Sequence, residues 1–378
     1  MISKPLAVRL RNSLLLIAFA GLTVACGNKT EETAAENQEA AAQSASSSDR
    51  GIAYVSNQNG GITVIDLNTM ETVREIDNKG GTPRGIGITP DGKTLVVANK
   101  DEGNISIINT ETGELIQHVE IGVNPEFVRV VGQTAYVSFE PSSKGGPPPK
   151  PGEEVIEEDD DDDEEEVPAR ISIVDLATGK VTKEIIGGPE TEGIEFSHDG
   201  TKLIITNEED DTVTVHDLET GELVKTIHTE EIGIRPRGIK AAPDGSAYLA
   251  TLEFGNNFIV FDSEFNVVRA VPTGEAPYGI AYNRDGSLIY VAAGKAKKLE
   301  VFDAKTYEKV NEVDTGDRCW HFTFTPDDKE ILLACGRSDE VLVIDVDTLQ
   351  VTKRIEDKKL PWGVIAYPKS VGSLDAPE

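Results

Sequence analysis

Seven strand-like runs, each closing on an Asp or Asn, divide the chain at nearly equal steps. They are "ITVIDLNT" at Asp66, "ISIINTET" at Asn109, "ISIVDLAT" at Asp175, "VTVHDLET" at Asp217, "FIVFDSEF" at Asp262, "LEVFDAKT" at Asp303 and "VLVIDVDT" at Asp345. Successive intervals are 43, 66, 42, 45, 41 and 42 residues. A fixed period of this length means one supersecondary unit, repeated, each copy burying its apolar faces against its neighbours. The single long interval holds about 24 extra residues, and it is the one that contains an acidic run.

Each unit carries four short segments rich in Val, Ile, Tyr and Thr, separated by turns such as "TPDGK", "APDGS" and "NRDGS". Asp-Gly is expected to supply the positive backbone angles of a tight hairpin. The Asp that ends each third segment can accept hydrogen bonds from backbone N–H groups just ahead and turn the chain into the fourth strand. These aspartates therefore read as structural, not catalytic. Four strands at a spacing near 42 residues predict an all-β fold, a seven-bladed β-propeller with four antiparallel strands per blade. First strands begin near Gly85, Phe127, Gly193, Gly238, Gly279, His321 and Gly363; second strands near Ile52, Thr94, Thr134, Lys202, Ser246, Leu288 and Glu330. The two series are out of step by one. "WGVIAYP" near the C-terminus has no second strand after it, and "IAYVSN" near residue 52 has no first strand before it. Pairing of these two in one blade would close the ring and leave no seam.

The segments "GIAYVSN", "TPRGIGITPDGKTLVVANK", "RPRGIKAAPDG" and "GEAPYGIAYNRDGSLIYVAAG" resemble the YVTN β-propeller repeats, over residues 51–368. The stretch "DRCWHFTFTPDDKEILLACGRSDEVLVIDVDTLQVTKRIEDKKLPWGV" is similar to the C-terminal half of the PQQ-dependent catabolism-associated β-propeller proteins. That resemblance implies export, company with quinoprotein alcohol-oxidation systems, and a non-enzymatic accessory role. The chain departs from the subgroup in its N-terminus and in the acidic insertion.

Residues 1–25 read as a leader. Lys4, Arg9 and Arg11 precede the apolar run "SLLLIAFAGLTVA", which is too short to span a bilayer as a mature helix. "LTVACG" resembles the lipobox of bacterial lipoproteins, with Cys26 as the lipidated residue, although Thr23 stands where Leu is commonest; a plain secretory signal is the alternative. Acyl chains on Cys26 would hold the protein to a membrane. The lipoprotein resemblance implies, with Gly27 rather than an Asp in the following position, sorting to the outer membrane, facing the periplasm, with surface exposure as the variant. Residues 26–50 contain no aromatic residue and suit a flexible tether. Residues 369–378 are assigned to a C-terminal tail.

A net charge of -31 argues against a nucleic-acid surface. Twelve carboxylates in the fourteen residues Glu153 to Glu166 supply much of it. This run lies in an insertion, residues 140–169, that also holds a Pro-rich spacer. Consecutive carboxylates lack the spaced ligands of an EF-hand loop, so weak Ca²⁺ capture or contact with a basic cytochrome is the most such an arm offers over a solvated loop.

Alignment of the units places one residue per blade at the lip of the central channel: Arg84, Glu126, Glu192, Arg237, Tyr278, Trp320 and Trp362, with His321 beside them. Three aromatics in consecutive blades against four charges suit an amphipathic ligand or a protruding partner loop; alternatively, the charges pair among themselves and the aromatics plug the hole. Cys319 and Cys335 fall nearly opposite on a hairpin, as a disulfide or as two buried thiols. His321 could be an axial ligand in a haem d1-like propeller, but there is no C-x-x-C-H, and His198, His216 and His228 are scattered over other blades. Glu126 and Glu192 keep a lactone-hydrolysing enzyme open. No spacing indicates a zinc site, a nucleophile elbow or a P-loop. The sequence thus points to a monomeric, lipid-anchored binding or scaffold protein of the cell envelope, without a cofactor and with a quinoprotein dehydrogenase or basic cytochrome as partner. A cofactor-carrying or lactonase-like enzyme is the alternative, and an adhesion module a third.

Overall fold

The computed structural model describes residues 50–79, 81–141 and 167–376. Cys26, the leader, most of the tether and the acidic run lie outside these residues. Twenty-eight strands, β1 to β28 in chain order, form seven four-stranded antiparallel sheets. Six sheets use consecutive strands, the first of them β4 (Pro83–Ile88) to β7 (Leu115–Glu120). The seventh has the order β28-β1-β2-β3, from β28 (Pro361–Tyr367) through β1 (Ile52–Asn57) and β2 (Ile62–Asp66) to β3 (Glu71–Ile76). Ile52 pairs with Tyr367 and Ser56 with Gly363, so the closure read from the two unmatched segments is the one that forms. The chain is a seven-bladed β-propeller.

Burial explains why these strands read as they do. The second and third strands of each blade are covered on both faces by neighbouring blades: β5 (Thr94–Asn99) and β6 (Asn104–Asn109) are buried almost throughout. Their sequences, TLVVAN and NISIIN, are accordingly near-continuous apolar runs. Fourth strands lie at the rim, where β3 exposes Glu71, Thr72, Val73 and Glu75 and buries Ile76. Charged side chains on these outer edges oppose sheet-to-sheet association.

The aspartates after the third strands are turn residues. Asp175 Oδ1 accepts from the Thr178 N–H at 2.7 Å and the Thr178 hydroxyl at 2.8 Å, and Asp217, Asp303 and Asp345 bond the Thr three residues on in the same way. These bonds to the ionised form lower the Asp175, Asp217, Asp303 and Asp345 pKa values. In the Asp-Gly hairpins only the Gly is left-handed, at φ 71° in Gly92, 69° in Gly200, 71° in Gly245 and 72° in Gly286. The Asp contributes its side chain instead: Asp91 Oδ1 accepts from the Thr89 hydroxyl and the Lys93 N–H.

Cys319 and Cys335 are directly paired across β24 (Cys319–Phe324) and β25 (Glu330–Cys335) and are joined as a disulfide. The chain does not leave the domain at residue 368. Residues 371–375 turn back against β24, where Gly372 bridges Thr323 and the Phe324 N–H donates to Val371 O at 2.8 Å. Ser373, Leu374 and Asp375 are buried.

Candidate binding site at the channel mouth

In five blades a Gly follows the mouth residue on the first strand, and it is there because adjacent first strands nearly touch. A Cβ on Gly238 would lie 2.3 Å from the Tyr278 carbonyl oxygen, and one on Gly279 would lie 2.4 Å from that of Trp320. Two blades carry a side chain at this position, Phe127 and His321. Both are buried on the channel axis with ring centroids 6.2 Å apart. Together they block the channel at mid-depth.

The channel end beyond them is filled by the returning C-terminal segment. Arg129, on β8 (Pro125–Val131), is fully buried and donates to Ile194 O at 2.8 Å, Ser373 O at 3.2 Å and Asp375 O. Lys240 also donates to Asp375 O, and both cations face the Glu195 carboxylate, at 3.5 and 3.7 Å. Burial, and next Arg129, pull the Lys240 pKa down to about 8; burial pushes Asp375 up.

The other end is open, a cavity of about 710 Å³. All seven predicted mouth residues line it. His321 does not, which corrects its placement in that ring. As the occupant of a Gly position it points into the core, its imidazole 4.3 Å from the Trp362 ring and 5.3 Å from Tyr278. Its Nδ1 lies 3.0 Å from the Ser373 hydroxyl, which also takes the Phe322 N–H and donates to Phe322 O. Burial drives its pKa down to about 3, so the ring is neutral.

The charged mouth residues pair with one another. Arg84 bonds Glu126. Arg237 holds three carboxylates, those of Glu192, Glu208 at 2.8 Å and Glu253 at 2.7 Å. The Tyr278 hydroxyl donates to Glu192 at 2.9 Å. Burial works against charge on Glu192 and Arg237, but their mutual attraction prevails, holding the carboxylate below and the guanidinium above its usual range. The guanidinium groups also cover aromatic faces, Arg84 over Trp362 and Arg237 over Tyr278, both at 5.2 Å. The charges thus pair among themselves, as one of the two readings of the ring had it, while a cavity stays open above them.

A second ring escaped the sequence reading. Gln58, Lys100, Glu140, Glu208, Glu253, Lys295 and Arg337 follow the seven second strands, one per blade, and all line the same cavity. They recur with the blade period, so the alignment that located the first ring also contains this one. Two of its members are strongly perturbed. Burial, and then the nearby Arg84, lower Lys100 to about 8; burial, and then Glu192, raise Glu140 well above the usual carboxylate range. One carboxylate oxygen each from Glu126, Glu140 and Glu192 falls within 4.8 Å of the others. No spacing in the sequence signals that cluster, because its members come from two strands and a strand end in two blades.

With this geometry in place, comparison with known proteins gives partial matches. A family model for the cytochrome D1 haem domain matches residues 23–132, under a third of the chain. No curated protein matches. Among solved structures, a functionally unknown protein from Desulfotomaculum acetoxidans superposes with a TM-score of 0.69 at 17% identity, covering 87% of this chain and 100% of its own. A candidate 6-phosphogluconolactonase from Bacteroides uniformis gives 0.65 at 16%, covering 84% and 99%. A dihydro-haem d1 dehydrogenase in complex with DHE gives 0.61 at 16%, covering 84% and 75%. The chain shares the β-propeller fold with these proteins. At such identity, fold is all that carries over.

The haem d1 match invites a test of fit. The described part of the matched segment holds one histidine, His118, which is exposed on the outer strand β7. His321 lies outside the matched segment and is walled off from the cavity by Trp362, Tyr278 and Phe127. Neither imidazole presents a nitrogen to a macrocycle in the mouth, so these residues do not fit axial ligation of haem.

Proposed function

We propose that this protein is a non-enzymatic binding propeller of the cell envelope, lipid-anchored through Cys26, which receives a protein partner at its channel mouth. The observation that carries the reading is the one-ended channel. One end is filled by the chain's own residues 371–375, the middle by Phe127 and His321, and the remaining end opens into a cavity of about 710 Å³. Within it Arg84 and Arg237 are already committed to Glu126, Glu192, Glu208 and Glu253, which supports recognition by a rigid surface more than proton transfer. Phe254, 56% exposed and stacked under Arg235 at 4.8 Å, adds an apolar contact at the lip. The resemblance to PQQ-associated propellers suggests the partner class, a periplasmic quinoprotein dehydrogenase or a basic cytochrome.

A second reading, hydrolysis of an anionic lactone, is favoured by one observation: Glu140 and Lys100 are both shifted toward neutrality inside the cavity. The two separate cleanly. Both tryptophans of the chain line the mouth, so their fluorescence reports on it. Titration with a purified c-type cytochrome and with a quinoprotein dehydrogenase is expected to quench that signal saturably, and Phe254→Ala to weaken the effect. No response to either protein, together with turnover of a sugar lactone that Glu140→Gln abolishes, would replace the docking reading with the enzymatic one. A visible absorption band in protein solubilised from its own membrane would make it a cofactor carrier.

A further inference from the structure

Three acceptor oxygens at the floor of the mouth or in the residue bonded to it meet no donor. Glu126 Oε2, Glu140 Oε1 and Asn124 Oδ1 are buried and have no hydrogen-bond partner among the described residues. Their residues are 3%, 3% and 5% exposed. The donors nearby are directed elsewhere. Arg84 and Lys100 address Glu126 through its other oxygen, Oε1, the latter at 3.9 Å. Arg237 and the Tyr278 hydroxyl take up Glu192. The Asn124 amide nitrogen donates to Glu140 Oε2 at 2.8 Å, which ties the side chain to the cluster while its carbonyl oxygen stays unpaired.

Buried oxygens of this kind cost several kcal/mol unless something positive meets them. We propose that Glu126, Glu140 and Glu192, with the Asn124 side-chain carbonyl, form a binding site for a divalent cation of the calcium or manganese class. The donor set is all oxygen, which suits a hard cation and excludes the thiolate and imidazole preferences of zinc or copper. Carboxylate oxygens within 4.8 Å of one another can share one ion at ordinary metal–oxygen distances of about 2.2–2.6 Å. Arg237 is divided among Glu192, Glu208 and Glu253, which leaves Arg84 and Lys100 as the cations that face Glu126. The four residues are held by two adjacent blades: Asn124 just before β8 and Glu126 on it, Glu140 directly after β9 (Thr134–Phe139), and Glu192 on β12 (Thr191–Phe196). Strands fix their spacing, so the ion would enter a site already formed. This inference stands apart from partner docking: either can hold without the other.

Terbium is a luminescent stand-in for such cations, and the two tryptophans lining the same cavity are its antenna. With the full chain, excitation of tryptophan should produce terbium emission that calcium or manganese displaces. Glu140→Gln, nearly isosteric, should weaken terbium binding at least tenfold, and Asn124→Asp should tighten it several-fold. The second variant guards against loss through misfolding, because a misfolded protein cannot gain affinity. Replacing Asp159 to Asp163 by Asn should leave the titration unchanged. Absent emission, equal affinity in Glu140→Gln and the parent, or loss of emission on neutralising Asp159 to Asp163 would each overturn the site.

Discussion

His321 gives the most quantitative test of how the channel is built. Its folded pKa near 3 against an ordinary value of 6.5 means that the folded protein refuses a proton which the unfolded chain takes up readily. Stability from this group is therefore intact above the unfolded value and is lost as pH falls from 6.5 toward 3. At about pH 5 linkage gives a loss of about 2 kcal/mol relative to pH 7.5, rising by about 1.4 kcal/mol per further unit until the folded value is reached. Other groups titrate in this range as well, so the variant His321→Phe is needed to isolate the term. It keeps an aromatic ring among Trp362, Tyr278 and Phe127, and the Ser373 hydroxyl keeps its two bonds to Phe322. Urea unfolding followed by tryptophan fluorescence, for both proteins at the two pH values, gives the difference of differences. The parent should lose about 2 kcal/mol more than the variant between pH 7.5 and pH 5. Equal losses would show that the imidazole is solvated or protonated in the fold, and the account of a blocked channel would fail with it.

Three further outcomes follow from the fold. Removing the chain from Pro361 onward deletes the partner strand of β1 and should replace one cooperative thermal transition by a broad one at lower temperature; an unchanged transition would refute closure. Cys319→Ser with Cys335→Ser should lower stability by about 3 kcal/mol in the chain-entropy account, read as a reduced urea midpoint with the m-value kept. Ending the chain at Pro368 removes three charge-assisted hydrogen bonds, from Arg129 to Ser373 O and Asp375 O and from Lys240 to Asp375 O, and with Glu195 as the remaining partner should still destabilise by about 3–5 kcal/mol, far more than loss of an exposed tail. Calorimetry of that truncation against Ser373→Ala, expected to cost about 1–3 kcal/mol, separates loss of the segment from loss of one hydroxyl.

The fold was legible because seven blades each state the same message. Turn aspartates, apolar strand runs and the Gly after the mouth residue recur in register, so one misread unit is corrected by six others. What lies off the repeat was not legible. Residues 371–375 contain only two large apolar side chains, Val371 and Leu374, and their burial depends on Arg129 and Lys240, far away in the sequence. Trp320 and His321 are adjacent in sequence, yet one lines the cavity and the other plugs the core, and only the packing of facing strands tells them apart. Glu140 sits at the edge of the acidic insertion, where its composition reads as solvated loop; the strand end of β9 and the Asn124 amide place it inside.

The pairing of β1 with β28 joins residues about three hundred positions apart. Loop closure over such a span is slow, and contacts this distant in sequence place the step late in folding. On a ribosome, or in any passage that delivers the N-terminal end first, β1 must wait as an open sheet edge while six complete blades assemble behind it. Residues 361–375 then supply both the missing strand and the segment beneath the channel. The ring and its floor are finished in the same event, so a chain cut short in synthesis would be left with an exposed β1 edge and with Arg129 and Lys240 short of their C-terminal acceptors, a form well suited to recognition by quality-control proteases.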